Sequence, residues 1–71
     1  MKVTAQQTER LLKENLSFSQ LGFSMLITRL KSQYSKDPTQ STVQSCMTEI
    51  NMFLEKFESI MKNDYAIIAK L

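Results

Sequence analysis

Apolar residues recur along this chain every three or four positions, the period of an α-helix rather than the alternation of a strand. Val43, Ile50, Phe57 and Leu71 fall at multiples of seven, as do Cys46, Phe53, Ile60 and Ile67, and Met47, Leu54, Met61 and Ile68 form a third row. On a helical wheel these rows fill one face about 160° wide, broader than a two-row coiled-coil seam. The first half carries Leu12, Leu16, Phe23, Leu26, Ile27, Leu30 and Tyr34 as its main stripe. Leu11, Phe18, Leu21 and Met25 form a second patch on nearly the opposite side. A helix packed against one partner has no use for two apolar faces, so the second patch is expected to meet something else. Gly22 lies beside it, where the missing side chain would let another backbone approach.

Two helix starts divide the chain. In Asp37-Pro38-Thr39-Gln40, Asp37 is placed as an N-cap, Pro38 as a first helical residue that loses no hydrogen bond, and Gln40 as the amide that reaches back. Thr4-Ala5-Gln6-Gln7 repeats the theme in a weaker form. The expected elements are helix one over about 4–34, a turn at 35–37 and helix two over 38–70. The fold class is all-α, an antiparallel two-helix hairpin. Each arm would run roughly 45 Å. A pair of such rods is a single thin layer with apolar strips left wet, so the hairpin should complete a helical bundle by oligomerisation. A homodimer is the simplest closure, and a different helical hetero-partner is the rival.

Composition narrows the chemistry. The chain has 71 residues, 42% hydrophobic and 23% charged, with no His, no Trp, one Gly and one Cys. That excludes imidazole catalysis, an intrachain disulfide framework and the usual zinc sites. A single glycine cannot build a P-loop or a dinucleotide fingerprint. No catalytic residue, cofactor or metal is assigned, and an enzyme is not expected. Residues 1–36 hold six basic against two acidic side chains, a balance of +4; residues 37–71 hold three against five, a balance of −2. Complementary packing of the two halves accounts for this asymmetry, with cations at the carboxyl end of helix one. Met1–Gln7 has no signal-peptide core and no window could span a membrane, so a cytoplasmic, membrane-free protein is expected.

Each candidate site has a plainer alternative. Glu55 and Glu58 are three residues apart, but carboxylate metal bundles also use His, and a solvated edge explains them. Cys46 falls on the apolar stripe, where a thiol acts as a small hydrophobe. Asp64 interrupts that stripe and would lie near Arg10 across the hairpin. Fraying of the bundle into water is its plain reading; a paired buried carboxylate that sets partner choice is the sharper one. The basic run Arg29-Leu30-Lys31-Ser32-Gln33-Tyr34-Ser35-Lys36 reads as a solvated helix end rather than a nucleic-acid surface. Met25, Met47, Met52 and Met61 read first as core filler and second as an adaptable binding surface.

With Leu30-Lys31 before the turn, Asp37-Pro38-Thr39-Gln40 at it and Ile67-Ile68 near the end, residues 26–71 resemble the small helical-hairpin co-chaperones of type III secretion needle subunits. Ala66-Ile67-Ile68-Ala69-Lys70-Leu71 also resembles the last helix of the needle subunits themselves. The resemblance implies a cytosolic stabiliser that works beside a larger helical-repeat chaperone. The expected function is non-catalytic protein–protein interaction, with Leu11, Phe18, Leu21 and Met25 as partner surface and Phe53, Phe57 and Ile60 contributing from helix two. An RNA-binding regulatory hairpin and a self-assembling structural subunit are the alternatives.

Overall fold

The computed structural model describes residues 1–71 as four α-helices with no strands: α1 (Ala5–Lys13), α2 (Leu21–Lys36), α3 (Gln40–Lys56) and α4 (Lys62–Ala69). A single 3₁₀ turn, Glu58–Ile60, joins α3 to α4. The chain measures 31 × 20 × 19 Å with a radius of gyration of 11.0 Å. That radius matches the ~11 Å of a compact globule of this length. No helix is long and apolar enough to cross a membrane.

The all-helical reading holds, but each expected rod is broken. Helix one, expected over 4–34, stops at Lys13 and resumes at Leu21. The intervening segment holds Asn15, Ser17 and Ser19, residue types of weak helix preference, and the Ser19 N–H and hydroxyl are taken by Asp64 instead. The freed carbonyl of Glu14 takes Lys31 Nζ at 3.0 Å. Helix two, expected over 38–70, ends at Phe57, after which the 3₁₀ turn redirects the chain. Tyr65 Oη donates to the Leu54 carbonyl at 3.2 Å, occupying one of the acceptors stranded at the end of α3.

Local caps fall close to their expected places. Thr4 caps α1 in a full capping box, accepting the Gln7 N–H at 3.1 Å while Gln7 Oε1 accepts the Thr4 N–H at 3.0 Å. At the Asp-Pro turn the cap moves two residues on. Asp37 ends α2, Pro38 lies in the link, and Thr39 accepts the Thr42 N–H at 3.2 Å as the N-cap of α3. The Asp37 carboxylate instead takes the Thr42 hydroxyl at 3.0 Å.

The core is sealed within one chain. Val3, Leu11, Leu12, Phe23, Ile27, Leu30, Val43, Cys46, Ile50, Leu54, Met61 and Ile68 are buried together, drawn from every helix and from the N-terminal strand-like lead. Helices α1, α2 and α3 pack on one another, and α4 closes the end through Met61 and Ile68. The two straight rods are thus replaced by a folded-back bundle that buries much of its main stripes within one chain. Val3 is drawn in by Asn51, whose amide pairs with both its N–H (2.7 Å) and its carbonyl (3.3 Å). Glu9 links α1 to α3 by accepting Gln40 Nε2 at 3.1 Å, and Lys13 and Gln40 hold its carboxyl below the usual range.

Leu11 and Leu21 were expected on one partner-facing patch, yet Leu11 is fully buried and Leu21 is 71% exposed. Truncating Leu11→Ala should cost about 2–5 kcal/mol in urea unfolding. Leu21→Ala should change stability by less than about 0.5 kcal/mol; equal costs would contradict this packing.

Candidate interaction surface

Helices α2 and α3 run antiparallel on either side of the Asp37–Thr39 link. Arg29 Nη2 meets Glu49 Oε1 at 2.8 Å, and the Phe53 ring lies 3.4 Å from where a Gly22 Cβ would stand. Gly22 therefore accommodates a phenylalanine ring and the capping amide of Gln20, rather than a second backbone. Behind the seam, aromatic rings run in series. Phe18 meets Phe23 edge-on at 4.9 Å, Phe23 meets Phe53 at 5.5 Å, and Phe53 meets Phe57 at 4.5 Å. These are favourable tilted geometries that fix the seam's inner wall.

The outer side of the seam is apolar and open. Leu26, Met52, Phe53 and Phe57 line a shallow groove of about 220 Å³, with Glu49 and Lys56 at its rim. Met25 and Met52 are 64% and 65% exposed, and Leu21 stands one helical turn before Met25 on the same side of α2. Ile60, half exposed, follows Phe57 in the 3₁₀ turn. The other surface depressions are lined almost entirely by polar side chains.

The expected site residues therefore separate. Leu21, Met25 and Ile60 are exposed; Phe18, Phe53 and Phe57 are half-buried against the core. Leu11 is a core residue and leaves the surface altogether. Its apparent place on a second face came from one continuous wheel drawn through a helix that is broken at Glu14. Met52 and Leu26 belong to the seam and were missed as site residues. Met52 had a signal: it stands alone among polar neighbours on the outer side of α3. Of the five methionines, the four after Met1 divide between the two readings, with Met61 buried, Met47 half-buried, and Met25 and Met52 in the open.

Asp64 does not fray into water. It is 1% exposed, and its carboxylate accepts the Ser19 N–H (2.8 Å), the Ser19 hydroxyl (3.0 Å) and the Gln20 N–H (3.0 Å). Its partner is the segment leading into α2, not Arg10, which pairs with Glu14 and the Leu71 carbonyl. Asp64 thus fastens α4 to the start of α2, and no buried side-chain polar atom is left without a partner. Cys46 is buried, and burial pushes its thiol above the ordinary range, with Glu49 adding to the shift and Arg29 opposing it. In the basic run, Arg29 is engaged by Glu49 and Lys31 by the Glu14 carbonyl. No three acidic or thiol side chains converge where a metal ion could be shared. Compared with known proteins, the chain matches no protein-family model, and no curated sequence or solved structure is significantly similar to it.

Asp64→Asn keeps the shape but removes the charge and sets an amide N–H₂ against donors. Destabilisation of about 2–4 kcal/mol by chemical denaturation is expected, since hydrogen bonds to a charged group are among the stronger ones. A neutral result would mean that Asp64 does not hold α4. Cys46 should resist a thiol reagent such as DTNB in native buffer and react fully in denaturant; prompt native labelling would show that the core opens readily.

Proposed function

We propose that this chain is a non-catalytic protein-binding module whose contact surface is the outer α2–α3 seam. One observation carries the reading. The core is already closed, yet Leu21 and Met25 on α2 and Met52 on α3 remain exposed, Met52 in the groove that Leu26, Phe53 and Phe57 also line. Apolar residues left over after a core is complete do no work in folding, and a gathered patch of them marks an interaction site. Two of the three are methionines, whose unbranched, polarisable side chains adapt to a partner's contours. The seam stands on two packed helices backed by the phenylalanine series, so the surface is pre-formed.

The same reading suits a small cytoplasmic stabiliser of another subunit, the role implied by the resemblance to needle-subunit co-chaperones. It moves the contact away from Leu11 and onto α2 and α3. Association of two copies, where it occurs, would use this seam and not the core.

The test is the double variant Met25→Asp/Met52→Asp compared with wild type as bait in native extract. Both positions are exposed, so helicity and unfolding midpoint should stay near wild type, within about 0.5 kcal/mol per site. Proteins retained by wild type should be lost from the variant. Retention of the same proteins by a folded double variant would overturn the assignment of this surface.

A further inference from the structure

Away from the α2–α3 seam, we infer that α4 is a strap, hinged at the 3₁₀ turn and latched by Asp64, that detaches while α1, α2 and α3 stay folded. Helices α1, α2 and α3 pack pairwise on one another, whereas α4 packs chiefly on the 3₁₀ turn that precedes it. Of the twelve buried apolar residues, ten lie between Val3 and Leu54, on or before α3. Only Met61 and Ile68 come from the strap. Detachment of α4 therefore leaves the core of the first three helices standing.

By itself α4 has little reason to stay helical. It has eight residues, fewer than the roughly 12–15 that an isolated helix needs in water. Met61 at its N-cap supplies no side-chain acceptor. Its order comes from docking, through a short set of ties. Met61 and Ile68 reach the core, with half-buried Tyr65 and Leu71 packed at its edge. Tyr65 Oη donates to the Leu54 carbonyl, and Arg10 Nη1 meets the Leu71 carbonyl at the surface. The remaining tie is the Asp64 carboxylate.

That carboxylate makes the docking all-or-none. It is buried, and its three donors all come from Ser19 and Gln20, on the non-helical lead into α2. A charged group in such a place is satisfied only while those donors face it, so the bonds are made together and lost together. The joint lies where little else depends on it. Glu58, Ser59 and Ile60 of the 3₁₀ turn are exposed, and no side chain caps the turn. Opening bares Met61, Ile68 and the part of the core they cover, an apolar surface that the closed molecule hides.

Hydrogen exchange of the full native chain, followed amide by amide by NMR in rising denaturant, tests the strap. After correction for intrinsic rates, Ala66, Ile67 and Ile68 should share one opening constant with a shallow denaturant dependence, at least about tenfold above that of Ile50 and Leu54. Two kinds of variant separate strap from core. Val43 lies near the start of α3, roughly 16 Å along it from Leu54. Val43→Ala should speed Ile50 exchange about tenfold and leave Ile68 unchanged, because Val43 is equally packed whether the strap is open or closed. Asp64→Asn should speed Ile68 and Ile50 by the same factor, about thirtyfold, because its bonds are absent from the opened and the unfolded state alike. Ser19→Ala deletes one bond of the three and should act in the same way by a few-fold, so the test stands even if Asp64→Asn does not fold. Equal acceleration of Ile68 and Ile50 by Val43→Ala would mean that α4 opens only with the whole molecule, and would overturn the strap. Unequal opening constants at Ala66, Ile67 and Ile68 would mark fraying residue by residue and overturn it too. Indifference of Ile68 to both latch variants would overturn the role of Asp64.

Discussion

Closure of a single apolar core by a short chain is the constraint on which this structure depends. A chain of 71 residues has little interior to spare. Two straight helices would leave their stripes facing solvent. Breaking each arm lets α1 and α4 fold back, so that Leu11 and Leu12 from one end and Met61 and Ile68 from the other join the stripes of α2 and α3. The lost helical hydrogen bonds are replaced by long-range ones, from Lys31 to Glu14 and from Tyr65 to Leu54. Burial of the terminal helices outweighs the continuity of the rods.

Polar groups decide where the fold-back is fastened. Asp64 holds α4 to the lead of α2, and Asn51 holds the extended N-terminal residues along α3. The Asp64 carboxylate accepts from two backbone N–H groups and the Ser19 hydroxyl, and the Asn51 amide accepts from the Val3 N–H and donates to its carbonyl. Apolar contact alone is indifferent to such detail, so these bonds select one arrangement of the short helices among several that would bury similar area.

The surface follows from the same closure. Once the core is complete, Leu21, Met25 and Met52 are the most exposed of the large apolar side chains, with Met52 in the groove that Leu26, Phe53 and Phe57 also line. The apolar residues are thereby divided: Phe23, Ile27, Leu30, Ile50 and Leu54 hold the molecule together, and the outer seam is the surface proposed to bind. At its edge the Lys56 ammonium lies 5.4 Å from the centroid of the Phe57 ring.

The helical class, the Thr4 capping box, the turn at Asp37-Pro38 and the inward stripes of α2 and α3 were all legible in the chain itself, because each rests on residues within one or two turns of each other. The breaks after Lys13 and at Phe57 were not, since neither carries a glycine or proline and the apolar rows run on past Phe57 undisturbed. The burial of Leu11 and the partner of Asp64 were equally hidden. They depend on residues that lie far apart in the chain, forty-five positions in the case of Ser19 and Asp64. Periodicity records what each segment prefers by itself; only the folded molecule sums the burial and hydrogen bonding between distant segments, and here that sum favoured four short helices over two long ones.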